Sequence, residues 1–232
     1  DSFGGVEQVI RQMVTGSIRL GIQAEVLTLT RDSNNLELEF EGHAVHRVPL
    51  NIEIASTGFS WSAFARFKQL AATADVVHYH FPWPFMDLAH FVCQIDKPSV
   101  VTYHSDIVRQ KYLLKLYQPL QNKFLNSVDR IVATSPNYLA TSPTLTKYQA
   151  KTDVITYGLD STIYPSPDQR LLAKWKTKFP MPFFLFVGVL RYYKGLHVLL
   201  EAAAGTEIPI VILGDGPVEL ELKRQAQRLG LD

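Results

Sequence analysis

Residues 183–202 read FFLFVGVLRYYKGLHVLLEA and combine the patterns of a strand, a loop and a helix in one segment. The continuous apolar run is typical of a strand buried on both faces, and it ends at Gly188. Arg191, Lys194 and Gly195 follow before the apolar stripe of a helix begins. This order brings two cations and a helix N-terminus to the ligand-binding edge of a sheet, which suits a diphosphate. The alternative is a solvated loop that carries two ordinary surface cations.

The same alternation of strand and helix patterns extends through the rest of the chain. The predicted strands are short runs rich in apolar and β-branched residues: Val26–Thr30, Val76–Tyr79, Ser99–Tyr103, Arg130–Thr134, Thr152–Thr156, Phe183–Val187 and Ile208–Leu213. The predicted helices are Glu7–Leu20, Ser62–Ala72, Lys111–Ser127, Leu196–Ala204 and Val218–Leu229. Strands that alternate with helices form βαβ units, so we expect an α/β fold with doubly wound parallel sheets.

A segment with several prolines, Tyr157–Pro182, interrupts this alternation and predicts an interdomain linker. We expect a first domain over residues 1–160, a linker over 161–181 that contains a short basic helix at 170–178, and a second domain over 182–232. The first domain starts at a glycine turn where a strand should precede it, and the second has only two clear strands. We therefore expect part of a longer protein, with the second domain incomplete.

The composition limits the partners and the compartment. Hydrophobic residues make up 47% of the 232 residues and charged residues 19%, and the formal net charge is +1, so no strong field attracts nucleic acid. Cys93 is the single cysteine, which rules out an intrachain disulfide and fits a reducing cytosol. The sequence shows neither a signal peptide nor an apolar run of membrane-spanning length. We expect a cytoplasmic protein that binds no nucleic acid and contacts a membrane, if at all, peripherally.

Glycines mark two further turns beside predicted helices. Gly4 and Gly5 stand directly before the first helix, where free backbone N–H groups allow an anion to approach closely. By themselves these two glycines favour an ordinary helix cap. Gly214 and Asp215 follow the strand Ile208–Leu213, where the turn either borders a nucleotide or simply connects a strand to a helix.

Histidines mark the C-terminal ends of two neighbouring strands. His78 and His80 share one strand face, because strand side chains alternate with a period of two. Two such histidines can bind a metal, but no third ligand stands nearby, so we favour a polar pocket floor without a metal. Trp83 follows as a platform for a sugar ring or, equally, as a packing residue.

His104 ends the next predicted strand and reaches the same edge as His80. An imidazole there can hydrogen-bond a substrate hydroxyl or act as an acid or base. Asp106 is placed to orient it. The alternative is a pair of structural residues at a strand end.

Taken together, these motifs resemble, in their order, those of the retaining, GT-B-fold glycosyltransferases of group one, and the resemblance covers nearly the whole chain. The matching motifs are Gly4-Gly5, the His78/His80 strand, Tyr103-His104-Ser105-Asp106, Ala133-Thr134-Ser135, Thr156-Tyr157-Gly158-Leu159-Asp160, Gly188 through Gly195, and Gly214-Asp215-Gly216-Pro217. The resemblance implies two Rossmann-like domains that face each other across a cleft. The first would bind the acceptor and the second the nucleotide-sugar.

The resemblance also implies roles for single residues. Residues equivalent to Arg191 and Lys194 hold the donor diphosphate, and the N-terminal glycine loop approaches the phosphates. The residue equivalent to His104 lies near the donor sugar. The acceptor side would be shaped by His78, His80 and Trp83. The family generally needs no metal, so no cofactor is expected besides the nucleotide-sugar substrate.

The reaction implied by the resemblance is transfer of a hexose with retention of configuration. Residues 80–84, HFPWP, look like those of bacterial transferases that build surface polysaccharide and lipopolysaccharide. We therefore expect GDP-mannose as the donor and a glycan or lipid-linked acceptor, with peripheral membrane contact. The residues suited to that contact form a basic amphipathic face on one predicted helix: Lys111, Tyr112, Leu113, Leu114, Lys115, Leu116, Tyr117 and Lys123. A conventional packed helix explains them equally well.

Two departures from the family pattern stand out. Val189 occupies a position where many members have arginine, which puts the geometry of Arg191 in doubt. The acidic motif of the family's second domain would lie beyond Asp232, so we expect the chain alone to be inactive or very weak. Three alternatives remain open: a GT-B nucleotide-sugar epimerase, a non-catalytic nucleotide-sugar-binding subunit, and a metal hydrolase built on His78, His80, His104 and Asp106.

Overall fold

The computed structural model describes residues 4–32, 34, 36–54, 57–107, 111–158 and 165–231. Contacts between residues divide the chain into two compact units, Asp1–Ser161 and Thr162–Asp232. None of the helices in these described ranges is long and apolar enough to span a membrane.

The first unit alternates strands and helices. Its helices are α1 (Gly5–Arg19), α2 (Trp61–Thr73), α3 (Pro84–Val92), α4 (Lys111–Ser127) and α5 (Pro136–Thr141), with a 3-10 helix at Leu145–Lys151. Its strands are β1 (Glu25–Thr30), β2 (Glu37–Phe40), β3 (His43–Pro49), β4 (Ile52–Ile54), β5 (Thr57–Phe59), β6 (Val77–Phe81), β7 (Ser99–Tyr103), β8 (Arg130–Ala133) and β9 (Thr152–Val154).

The main sheet of this unit is parallel and has the order β6-β7-β8-β9. In β7, Val101 and Tyr103 are fully buried, as the continuous apolar pattern predicts for a strand covered on both faces. Helical residues such as Phe67, Phe85 and Phe124 belong to the same buried cluster. The predicted α/β class with parallel sheets is therefore confirmed.

A smaller sheet has the order β1-β3-β2, in which β3 pairs parallel with β1 and antiparallel with β2. The sequence analysis found β1 but missed β2 and β3. The four residues of β2 alternate Glu-Leu-Glu-Phe, the period-two pattern of a strand, but the segment is short and all four residues are exposed. Strand β3 carries His43, His46 and Arg47, which break its apolar run. Helix α3 was also missed, although Pro84 stands at its start, where proline is favoured.

The second unit contains α6 (Gln169–Lys178), β10 (Phe184–Val187), a 3-10 helix at Tyr192–Lys194, α7 (Leu196–Ala203), β11 (Ile210–Leu213) and α8 (Glu219–Arg228). Strands β10 and β11 pair parallel. The buried residues of its core are all leucines: Leu190, Leu196, Leu200 and Leu222. Helix α6 is the basic helix predicted within the linker, and Asp168 caps it by accepting a hydrogen bond from the N–H of Arg170 at 2.8 Å.

Candidate active site

The edge at which β6 and β7 end carries the first group of candidate residues. Phe81 pairs with Tyr103 in register, and the N–H of His104 donates to the carbonyl of Phe81 at 3.0 Å. The residues at and just beyond the two strand ends therefore lie side by side. His80 and His104 therefore lie at the same sheet edge, as their positions at the ends of the two strands predict.

Four rings stack at this edge and form what we call the ring row: His78, His80, His104 and Tyr157. The ring centroids of His78 and His80 are 4.7 Å apart, and those of His80 and His104 are 5.2 Å apart. The centroid of Tyr157 lies 5.9 Å from that of His104. Because neighbouring planes differ by 22°, 16° and 27°, the rings run nearly parallel along the row.

Hydrogen bonds connect three of these rings and fix the fourth to the sheet. His78 Nε2 lies 2.8 Å from the hydroxyl of Thr102. His80 Nδ1 lies 2.9 Å from His104 Nε2, and His104 Nδ1 lies 2.5 Å from the hydroxyl of Tyr157. Both nitrogens of His104 are thus engaged by protein groups.

Tyr157 is the member of the row that the sequence analysis did not select. It follows β9, the strand that pairs with β8, and its side chain is 49% exposed. The rule that had selected His104, a polar side chain just beyond a parallel strand, applies to Tyr157 as well. In the sequence, Tyr157 stands at the start of the proline-containing linker segment Tyr157–Pro182, which hides its position beyond a strand.

Burial makes the inner histidines of the row poor bases. It lowers the pKa of His80 to about 3, assisted by the neighbouring His78 and His104, and the pKa of His104 to about 4. Burial also lowers the pKa of His78, at the end of the row opposite Tyr157. At neutral pH the row therefore consists of uncharged imidazoles, which give and receive hydrogen bonds without carrying a formal charge.

The nitrogens of His80 and His104 face each other, so they do not converge with His78 on a common point. Within the described ranges, no group of three or more potential ligands is arranged to hold a metal ion. The arrangement suits hydrogen bonding to a polar substrate better than coordination of a metal.

Asp106 does not orient His104, and this part of the prediction is wrong. Its Oδ1 accepts hydrogen bonds from the hydroxyl of Tyr103 at 2.9 Å and from the hydroxyl of Ser142 at 3.0 Å. Asp106 therefore ties the loop after β7 to the end of α5. The partners that position His104 are His80 and Tyr157 instead.

Trp83 packs within the first unit. Its indole N–H donates to the carbonyl of Gly58 at 3.2 Å, and its ring lies 5.9 Å from the ring of Phe85. The side chain is partly buried against the core. Of the two interpretations offered by the sequence, the structure favours packing over a sugar-stacking platform.

The two N-terminal glycines begin α1, with Gly4 at the N-cap position and Gly5 as the first helical residue. A Cβ on Gly4 would lie 2.2 Å from Glu7 Oε2, which places the Glu7 carboxylate against this glycine. Nothing lies within 4 Å of a Cβ at Gly5. An anion thus finds open space at Gly5, whereas at Gly4 it meets a carboxylate.

In the second unit, the loops that follow β10 and β11 are locked together through their backbones. The N–H of Leu190 donates to the carbonyl of Asp215 at 2.6 Å, and the N–H of Gly188 donates to that of Leu213 at 3.0 Å. A Cβ on Gly216 would lie 2.4 Å from the carbonyl oxygen of Leu190. Only glycine permits this approach, and the contact holds the loop that carries Arg191 against the turn at Gly214 and Asp215.

The cations of this loop are open to solvent. Arg191 caps the 3-10 helix that ends at Lys194, and Gly195, in a left-handed conformation, starts α7. The side chains of Arg191 and Lys194 are exposed, and no carboxylate of a described residue forms an ion pair with either of them. Lys194 Nζ lies over the ring of Tyr193, 5.5 Å from its centroid. Two cations without an ion pair to a described carboxylate, beside a helix N-terminus, can bind a diphosphate.

Two family models match the chain. Glycosyltransferase Family 4 matches residues 3–162, and Glycosyl transferases group 1 matches residues 169–232. The first match alone covers more than half of the chain.

Two curated relatives match along the chain's length. D-rhamnosyltransferase WbpZ of Pseudomonas aeruginosa is 58% identical over 231 residues, which are 100% of this chain and 61% of that protein. O-antigen chain mannosyltransferase C of Escherichia coli is 52% identical over 231 residues, again 100% of this chain and 62% of that protein. The chain thus spans 61% and 62% of the length of these two relatives.

Solved structures share the fold at low sequence identity. Sucrose-phosphate synthase from Thermosynechococcus elongatus aligns with a TM-score of 0.68 at 17% identity, over 98% of this chain and 63% of that one. HepE of Anabaena, solved in complex with UDP and glucose, aligns with a TM-score of 0.68 at 20% identity, over 99% of this chain and 64% of that one. These likenesses confirm the GT-B-like, Rossmann-like character of the fold.

Proposed function

Because the chain belongs to glycosyltransferase family 4, with a group 1 glycosyltransferase segment after it, we propose that the protein transfers a hexose from a nucleotide-diphosphate sugar to a growing surface glycan. The observation that carries this proposal is the locked loop after β10. It presents Arg191 and Lys194, two solvated cations, beside the start of α7. The developing charge on a departing diphosphate is what such a site stabilises.

In this proposal the second unit binds the donor. Arg191 and Lys194 contact the diphosphate, and the turn at Gly214 and Asp215, which is fixed to the same loop, borders the nucleotide. In the first unit, the backbone N–H groups at the start of α1, at Gly5, also suit an anion. These contacts require neither a metal nor another cofactor.

The first unit faces the sugar and the acceptor. The ring row supplies uncharged hydrogen-bonding groups, which recognise hydroxyls of the sugar. We assign His104 to the donor sugar and His78 and His80 to the acceptor side. No carboxylate among the described residues is hydrogen-bonded to the row, and Asp106 is held by other partners.

Retention of configuration fits this set of residues. A double displacement needs a carboxylate nucleophile close to the anomeric carbon, and the row provides none. We propose instead that the acceptor hydroxyl approaches the face from which the diphosphate departs. The site then has to stabilise an oxocarbenium-like sugar and an anionic leaving group at the same time.

The donor we propose is GDP-mannose or its 6-deoxy relative, GDP-D-rhamnose. The curated relatives are named for transfer of D-rhamnose and of mannose in O-antigen chains. D-rhamnose is 6-deoxy-D-mannose, so both sugars share the manno configuration. A site that recognises this configuration and tolerates either substituent at C6 would account for both names.

We place the reaction in the cytoplasm, on a glycan or lipid-linked acceptor at the inner face of the membrane. Helix α4 supports peripheral contact with that surface. Leu113 and Leu116 are 47% and 80% exposed, and the exposed Lys115 lies between them. Apolar and basic side chains on one exposed helix suit an anionic lipid surface.

The test is a transfer assay with the protein at its full natural length. It is supplied with GDP-mannose, GDP-D-rhamnose or UDP-glucose and a lipid-linked glycan acceptor, and NMR determines the anomeric configuration of the product. We expect an α-linked manno-configured sugar from the α-configured GDP donor. An inverted linkage would overturn the proposed mechanism. Release of a free sugar epimer, or nucleotide-sugar binding without turnover, would overturn the proposed activity.

The loop assignment is tested in the same assay with single variants. Arg191→Ala and Lys194→Ala should each raise the donor KM about ten- to a hundredfold, because hydrogen bonds to a charged group are lost. Lys223→Ala is the matched control, since Lys223 is an exposed cation of the same unit that pairs with Glu219 on α8. An equal rise in donor KM in all three variants would mean that the donor responds to the total positive charge of the unit and not to specific contacts with Arg191 and Lys194.

A further inference from the structure

The ring row contains a chain of hydrogen bonds with a direction. His104 is bonded at both nitrogens, to His80 at Nε2 and to Tyr157 at Nδ1. A neutral imidazole has one N–H, so only one of these two bonds can be donated by His104. The position of that single hydrogen fixes the hydrogen positions on the neighbouring ring and hydroxyl.

Two arrangements satisfy both contacts. In the first, Tyr157 donates its hydroxyl hydrogen to His104 Nδ1, and His104 Nε2–H donates to His80 Nδ1. In the second, His80 Nδ1–H donates to His104 Nε2, and His104 Nδ1–H donates to the oxygen of Tyr157. The first arrangement makes His104 a donor toward His80, and the second makes it an acceptor there.

The surroundings of Tyr157 favour the first arrangement. A phenol hydroxyl is a stronger acid than a neutral imidazole N–H, so it is the better donor of the two. Burial raises the pKa of Tyr157, so its hydroxyl stays protonated and able to donate at neutral pH. The hydroxyl hydrogen of Tyr157 is therefore available to His104 Nδ1.

We propose that Tyr157 is a positioning residue of the transferase site: its hydroxyl holds His104 as the Nε2–H tautomer, which presents a hydrogen-bond donor at the strand edge. This inference rests on the proposed function, because it assigns a role to a residue of that same site. In this tautomer His104 is a donor at Nε2, the nitrogen that faces His80 at the strand edge. Donation from Tyr157 also polarises His104 and makes that N–H a stronger donor.

The first experiment reads the tautomer directly. The protein at its full natural length is labelled with ¹⁵N-histidine, and the ring nitrogen shifts of His104 are assigned by comparison with His104→Gln. The wild-type protein should show the Nε2–H tautomer at neutral pH. The Nδ1–H tautomer would overturn the proposal, and this readout needs neither a folded Tyr157 variant nor any activity.

The second experiment removes the hydroxyl. Tyr157→Phe keeps a ring for stacking on His104 and loses the hydrogen bond to Nδ1. We expect a mixed tautomer population and a fall in kcat of about tenfold, with a smaller change in donor KM, because the lost hydrogen bond acts on His104 and not on the diphosphate. Tyr148→Phe is the control, since the Tyr148 hydroxyl only reaches Asn122, at 3.4 Å, away from the row.

The outcomes separate this inference from the proposed function. If the wild-type protein transfers sugar and Tyr157→Phe keeps both the tautomer and kcat within twofold, the positioning role is wrong and the proposed function stands. If the wild-type protein transfers nothing, the proposed function fails, and the ¹⁵N shifts still decide whether Tyr157 sets the tautomer.

Discussion

Within this 232-residue stretch, which spans 61% and 62% of the length of the two curated relatives, the two parallel sheets differ in how far their strands are covered. In β7, Val101 and Tyr103 are 0% exposed, whereas in β10, Phe184 and Val187 are 65% and 64% exposed. Both strands have similar apolar sequences, so the difference arises from what packs on them. The first sheet is covered by helices that share its buried cluster, whereas the described residues of the second unit include only five buried hydrophobic ones, four leucines and Ala203.

This difference extends to the chemistry at the strand ends. The ring row borders the covered sheet, and burial there lowers the pKa of His80 and His104 until both are neutral. The loop after β10 stays in water and exposes Arg191 and Lys194. One pattern of strand, loop and helix thus produces a neutral site suited to sugar hydroxyls and a cationic site suited to phosphates.

The largest expected effect is a loss of stability when a buried ring of the first unit is removed, compared with removal of an exposed ring of the second unit. Phe124→Ala in α4 removes a fully buried ring that packs 5.1 Å from Tyr79 and should lower the free energy of unfolding by about 3–5 kcal/mol. Phe184→Ala in β10 removes a mostly exposed ring and should cost less than about 1 kcal/mol. Urea denaturation followed by circular dichroism measures both. Equal losses in the free energy of unfolding would contradict the difference in burial between the covered sheet and the open sheet.

The next effect concerns the locked loops of the second unit. Gly216→Ala sets a Cβ against the backbone of Leu190 at a φ of 153°, so we expect a loss of about 2–3 kcal/mol and weaker donor binding. Gly205→Ala is the control, because Gly205 also has a positive φ, 78°, but has open space around it. The control should cost about 1 kcal/mol and leave donor affinity unchanged. Thermal unfolding measures the loss of stability, and calorimetric titration with the donor measures the loss of affinity.

A further effect should appear in the dependence of stability on pH. Histidine in the unfolded chain has a pKa near 6.5, whereas burial lowers that of His80 to about 3 and that of His104 to about 4. As the pH falls from about 6.5 to about 4, the unfolded state binds protons that the folded state does not, so stability falls.

The variants His80→Gln and His104→Gln should reduce this loss between pH 6.5 and pH 4. Comparison with the wild type is required because Asp87, whose pKa burial raises to about 7, acts in the opposite direction. An unchanged pH dependence in both variants would contradict the neutral state assigned to the row.

Much of the fold was predictable because its strands and helices carry strong local patterns. Helix Lys111–Ser127 and strand Ser99–Tyr103 were predicted with their observed bounds. Strand β2 carries only a four-residue alternation of glutamates with Leu38 and Phe40, which is too short to stand out, and it pairs with β3 while exposed along its whole length.

The candidate site was predictable where a residue stands at a strand end, as His80 and His104 do. Its hydrogen bonds were not predictable, because they depend on register and side-chain rotamers. Asp106 is near His104 in sequence but bonds Ser142, whereas Tyr157, far along the chain, bonds His104. Proximity in sequence was therefore a poor guide to which group positions the histidine.

The most direct test of the division into a cationic and a neutral site is calorimetric titration with GDP and GMP, using the protein at its full natural length. We expect the wild-type protein and His104→Gln to bind GDP about tenfold or more tightly than GMP, because the second phosphate gains charge-assisted hydrogen bonds. The double variant Arg191→Ala/Lys194→Ala should bind both nucleotides alike, and Lys223→Ala should behave as the wild type. If the preference for GDP survives in the double variant, or is lost in His104→Gln, the division between the two sites is wrong.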